Sequence, residues 1–189
     1  VPDEEGGEYG GYTRLATLLR QERAAAETPV VTLDAGDFSM GSLFQTIYAT
    51  DAPELRALGQ MGYDVTTLGN HEFDYRARAL AEMLGAAVDS GDRLPAVVQA
   101  NYKPPAGDGA TRAAWENYGI GDYVVLERDG VRVAVFGLLG VDADACAPMS
   151  GMEFTPLAQA AQRVVETIQA QEAADYIVCL SHSGTTDGK

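Results

Sequence analysis

The chain is poor in the residues that most often carry chemistry: two histidines, two cysteines and one tryptophan in 189 positions. Cys146, in a loop-like stretch, and Cys179, inside an apolar run, are too few for a disulfide scaffold or a cysteine zinc site, and they assign no compartment. Basic residues are scarce as well, 13 Lys and Arg against 28 Asp and Glu, for a net charge of −15. Such a field repels phosphate backbones and anionic lipid surfaces, so nucleic acid is not an expected partner. An anionic small substrate would also be repelled, unless bound metal ions reversed the local sign. No apolar run approaches the roughly 20 residues that cross a bilayer, and no basic-then-apolar leader opens the chain at Val1. Neither a membrane span nor an unprocessed precursor is expected. Internal repeats and low-complexity segments are lacking too.

What is present reads as a folded chain. Hydrophobic residues make up 46% and charged residues 22%, near the globular average, and the length suits one domain. After a Gly-rich acidic lead-in over residues 1–10, Leu15, Leu18, Leu19 and Ala25 lie mostly on one face of a helix that Pro29 stops. Residues 30–33 read as a short buried strand. Asp51 and Pro53 look like the N-cap and first turn of a second helix, closed by Gly62. Residues 65–68 form the next strand, 76–88 a helix and 95–100 a third strand. Residues 101–119, with Pro104, Pro105, Gly107 and Gly109, read as a long polar loop. Asp129-Gly130 between two apolar runs signals an antiparallel hairpin. Thr155-Pro156 opens a last helix bearing Leu157, Ala161, Val164 and Ile168, and residues 176–180 form the last strand. Alternating helices and strands plus a hairpin imply an α/β fold with mixed sheets and helices outside.

In open α/β sheets, ligands bind beyond the carboxyl ends of strands. Asp34-Ala35-Gly36-Asp37 follows the first strand, Gly69-Asn70-His71-Glu72-Phe73-Asp74 the second, Asn101 the third, and Ser181-His182 the last. Taken singly, Asp37, Asn70 and Asn101 are ordinary turn residues, and an isolated histidine is commonly structural. Together Asp37, Asn70 and His182 supply an O, O, N donor set suited to Mn, Fe, Zn or Co. His71 and Asp74 are three apart, so one helical turn would put them on a shared face. A carboxylate there fixes the imidazole tautomer and favours the imidazolium, as a general acid requires. Glu72 points elsewhere in that turn and reads as a supporting or capping residue.

With Gly36-Asp37, then Gly69-Asn70-His71-Glu72-Phe73-Asp74, then His182 after a strand, the chain resembles the calcineurin-like metallophosphoesterase superfamily, and the central hexapeptide its 5′-nucleotidase branch. The resemblance runs from Gly10-Gly11-Tyr12 to His182. It implies an α/β/β/α sandwich with mixed sheets and outer helices, and two divalent metal ions in the complete domain. It implies Asp37 as the carboxylate bridging them, Asn70 and His182 as ligands of the second, and His71 with Asp74 as the catalytic dyad. Asn101 would lie beside the phosphate. The implied reaction is hydrolysis of phosphate monoesters, nucleotides foremost, a step in nucleotide catabolism.

Members of that family also carry an Asp-x-His strand end before the first helix and a Gly-His-x-His-like motif downstream; neither occurs here. By that count the first ion keeps only Asp37, and residues 1–189 are expected to be a partial catalytic domain whose C-terminal substrate-binding domain lies outside this chain. The alternatives are a phosphodiesterase of the cyclic-nucleotide or UDP-sugar type, and a non-catalytic module keeping the fold with an incomplete site. Family analogy alone places such a protein outside the cytoplasm, in the periplasm, at the cell surface or secreted.

Overall fold

The structure is a computed structural model that describes residues 10–184. The expected lead-in falls, but for Gly10, outside the described residues. Helix α1 (Tyr12–Ala25) buries none of its residues fully, so its apolar face is only half covered. The 3-10 turn Leu43–Ile47 leads into α2 (Tyr48–Asp51) and α3 (Pro53–Met61). Pro53 starts α3 as expected, but the N-cap is Ala52, in the left-handed region at φ 45, rather than Asp51, which ends α2. Gly62 closes α3 at φ 84, donating to Leu58 and Gly59 carbonyls.

Strand β1 (Val65–Thr66) precedes the 3-10 turn His71–Phe73 and α4 (Arg76–Asp89). Then come β2 (Ala96–Val97), β3 (Tyr102–Lys103) and α5 (Gly109–Tyr118). Helix α5 corrects the expectation of a loop over 101–119. Asp108 caps it, its carboxylate accepting from Thr111 N at 3.0 Å and Thr111 Oγ1 at 2.6 Å, while Trp115 is buried one turn on. The hairpin is β4 (Tyr123–Arg128) and β5 (Val131–Leu139), turned by Asp129 and Gly130, both at positive φ. Helix α6 (Val141–Cys146), β6 (Glu153–Phe154), α7 (Leu157–Gln171) and β7 (Tyr176–His182) complete the order. Pro156 is the N-cap of α7 without a side-chain hydrogen bond, so the expected threonine cap is not made.

Two strand layers face each other, apart from a separate two-stranded antiparallel sheet of β3 and β6. In one, Leu33 bridges Val65 in parallel and β1 pairs with β2 in parallel, so the strand expected over 30–33 is reduced to a single bridge, and those over 65–68 and 95–100 to two residues each. In the other, β5 lies between antiparallel β4 and parallel β7. Between the layers pack Val65 and Val98 on Val135 and Leu180. Alternation along β5 then sends Ala134, Phe136 and Leu138 outward onto Ala160, Val164 and Ile168 of α7. On the far side, Leu55, Leu80, Met83, Leu84 and Trp115 cover the first layer. The result is the α/β/β/α sandwich that the sequence motifs implied, with Asp37 and Gly69–Asp74 beyond strand ends, Asn101 directly before β3, and His182 the last residue of β7 rather than past its end. No helix among the described residues is long and apolar enough to cross a membrane.

Candidate metal and phosphoester site

The loop after Leu33 is tied at both ends. Asp34 Oδ2 accepts from Gly36 N at 3.0 Å and from Thr66 Oγ1 at 2.6 Å. Asp37 sits in the left-handed region at φ 60, a conformation that costs a non-glycine residue on the order of 1–3 kcal/mol and persists only where neighbours enforce it. Glu72 is that enforcer. Fully buried, its carboxylate accepts from Asp37 N at 2.9 Å, Gly69 N at 2.6 Å, Ser39 N at 3.1 Å and Ser39 Oγ at 3.0 Å. Burial pushes the Glu72 pKa up, with the amide donors opposing. Spacing alone had marked Glu72 as a supporting residue. That it fastens residues 36–39 to residues 69–72 is visible only in three dimensions.

Held this way, Asp37 faces two imidazole-bearing segments. Its Oδ1 accepts from the backbone N–H of His71 at 2.9 Å, and its Oδ2 lies 3.1 Å from His182 Nε2. Gly69 packs so closely on Asp37 that a methyl group there would overlap the carboxylate. Burial opposes the charge of Asp37, but the His182 contact, the His71 amide and the positive charge of both rings hold its pKa below the usual carboxylate value. His182 in turn has its pKa raised, chiefly by Asp37, against partial burial. Its Nδ1 is 2.8 Å from the carbonyl of Ala35, which can only accept, so Nδ1 carries the proton and Nε2 faces Asp37.

Beside this pair, His71 Nδ1 lies 3.0 Å from Asp74 Oδ2 and 3.2 Å from Oδ1, within one 3-10 turn, and Gln45 Nε2 donates to the same Oδ2 at 3.2 Å. The Asp74 hydrogen bond is the main cause that raises the His71 pKa, with partial burial opposing and the charges of Asp37, Asp74 and Glu72 adding to it. Gln45 carried no signal in the sequence, since it comes from a separate 3-10 turn.

Asn70 starts the 3-10 turn, half-buried, one residue before the amide that binds Asp37, and its side-chain amide makes no hydrogen bond among the described residues. Asn101 is 1% exposed, and its amide is spent on backbone: Nδ2 donates to Leu139 O at 2.9 Å and Thr155 O at 3.1 Å, and Oδ1 accepts from Leu139 N at 2.8 Å. The amide is thus engaged inside the strand framework.

Whether these residues fit a divalent ion can be judged from their chemistry. Among the described residues no group of three or more His, Cys, Asp or Glu side chains gathers as a metal site, so the Asp37–His182 pair needs an amide as third donor. The Asn70 amide is uncommitted, His182 has its other nitrogen anchored on a carbonyl as metal-ligating histidines do, and Asp37 is ionised. By donor chemistry alone, such a set would suit one ion of the Mn, Fe, Zn or Co type.

No family model matches the chain. Over 194 residues it is 32% identical to the trifunctional nucleotide phosphoesterase YfkN of Bacillus subtilis, an alignment covering 90% of this chain and 13% of that protein. It is 31% identical over 177 residues to a probable 5′-nucleotidase of Treponema pallidum, covering 93% of this chain and 27% of that one. The solved 5′-nucleotidase precursor of Thermus thermophilus is similar in fold at a TM-score of 0.74 and 29% identity, over 93% of this chain and 32% of that chain. The chain thus spans a third or less of the length of these proteins.

Proposed function

We propose that this chain, similar to a nucleotide phosphoesterase and to 5′-nucleotidases and resembling the calcineurin-like metallophosphoesterases in its motifs, serves metal-dependent hydrolysis of phosphate monoesters, with nucleotides as the substrate class. The observation that carries the reading is the His71–Asp74 pair lying beside the Asp37–His182 pair at one edge of the sandwich.

Asp37, Asn70 and His182 would hold a divalent ion, and in the complete domain Asp37 would be shared with a second. Such ions supply positive charge to the phosphoryl oxygens and a nucleophile usable near neutral pH. That charge also answers the net −15 of the chain, which would otherwise repel a nucleotide. Asp74 keeps the proton of His71 on Nδ1 and favours the imidazolium, leaving Nε2 to stabilise the transferring phosphoryl group or to protonate the leaving oxygen. Glu72 keeps Asp37 and the His71 turn in register while this happens. By the resemblance, the base and sugar would be bound by a domain outside this chain, and the protein would act outside the cytoplasm.

Phosphate release from AMP with Mn²⁺ tests the proposal. Slow, Mn-dependent release by this chain is expected, falling by on the order of 100-fold in His71→Ala. No Mn-dependent release, or a rate untouched in His71→Ala, would overturn it. Faster cleavage of bis(p-nitrophenyl) phosphate than of AMP would turn the reading to a phosphodiesterase.

A further inference from the structure

We infer that Asn101 is a positioning residue that takes the place of a missing strand at the end of β5 and so fixes the backbone carrying His182. Strand β4 accompanies β5 only from Val131 to Phe136, whereas β7 stays paired with β5 to the Leu139–His182 register. Gly140 N donates to His182 O at 2.9 Å, so the alternate residue Leu139 turns its own N–H and C=O to the opposite edge, beyond the end of β4. There Ala100 N donates to Gly137 O at 2.8 Å, and the side chain of Asn101 meets both polar groups of Leu139, accepting from N and donating to O. A primary amide has the donor–acceptor pair of a peptide group, so it completes the ladder as a strand would.

The same side chain reaches in two further directions. Its Nδ2 donates to Thr155 O, while Thr155 N donates to the Asn101 carbonyl at 2.8 Å, joining the approach to α7. Gln99 Nε2 lies 3.4 Å from Asn101 Oδ1, and Gln99 Oε1 accepts from Thr67 Oγ1 at 2.7 Å and Leu68 N at 3.4 Å. Both amides are buried. They connect the strand end before Asn70 with the strand end at His182, in a region where an unpaired N–H or C=O is costly.

Amide hydrogen exchange on the metal-free chain tests this directly, with Asn101→Leu, similar in volume but apolar, and Asn101→Ser should the leucine variant not fold. The Leu139 and Gly140 amides are expected to lose protection about tenfold more than those of Val133 and Val135 on the same strand. A uniform loss along β5, or unchanged protection at Gly140, would overturn the inference by showing a general core role or none. Resting on the metal reading above, a second arm compares Mn²⁺ affinity in the Asn101 variant with Ile168→Val, which loosens the α7 face of β5. A drop of about tenfold in the first and under about twofold in the second is expected. Equal losses would overturn the inference. A wild-type chain that binds no Mn²⁺ would sink the metal reading while leaving the exchange result to decide on Asn101.

Discussion

At the scale of single residues, the geometry around Asp37 depends on a fully buried carboxylate. Glu72 satisfies three backbone N–H groups and one hydroxyl, so Glu72→Gln, which turns an NH2 toward some of them, should lower stability by about 2–3 kcal/mol in urea denaturation. A variant as stable as wild type would show that these contacts are not needed. His71 behaves differently. Asp74 raises its pKa above the ordinary 6.5, so the imidazolium is favoured in the folded chain. The stabilising contribution is therefore whole below 6.5 and is lost as pH rises through the higher folded value. Both side chains are about a third exposed, so the energy is small, and the shift is better followed by NMR. The His71 ring in the metal-free chain should titrate with a midpoint above 6.5 that drops in Asp74→Asn; a midpoint at or below 6.5 contradicts the pairing. Of these residues the sequence showed the His71–Asp74 spacing, because one turn of chain settles it. The use of Asn101 was hidden, because its partners Leu139 and Thr155 lie 38 and 54 residues away.

Among the elements, legibility followed the length and locality of the signal. The Asp129-Gly130 hairpin, the apolar face of α7 and the glycine end of α3 were readable because each is decided within a few neighbouring residues. The strands of the first layer were overcalled in length, since apolar runs mark burial while the ladder depends on partners elsewhere in the chain. Helix α5 was missed because Pro104, Pro105, Gly107 and Gly109 outweighed a cap and one buried face. If Asp108 does hold that helix, Asp108→Ala should cost about 1 kcal/mol in a chemical melt, and no cost would show the helix held by Trp115 packing alone. The start of α4 offers the reverse case. Arg76 is exposed at φ 68, a conformation suited to glycine. Arg76→Gly is expected to raise stability by about 1 kcal/mol through relief of that strain, and a loss of stability would count against it.

Across the whole molecule, two sheets meet closely enough to set the site's dimensions. At Gly137 a methyl group would overlap Val98 O and Thr67 Oγ1, so the layers touch there through backbone. Gly137→Ala should separate them at a cost of about 1–3 kcal/mol, read from the denaturation midpoint. The close seam matters for function because Asp37 and Asn70 come from one layer and His182 from the other, leaving Asp37 Oδ2 and His182 Nε2 only 3.1 Å apart. On the proposed reading, these donors converge on a single divalent ion. Calorimetric titration of this chain with Mn²⁺ tests it most directly. One binding site is expected in the wild-type chain, weakened by about tenfold or more in Asn70→Ala and lost in Asp37→Ala. Two tight sites, or a single site untouched by either substitution, would show that Asp37, Asn70 and His182 do not form one ion site.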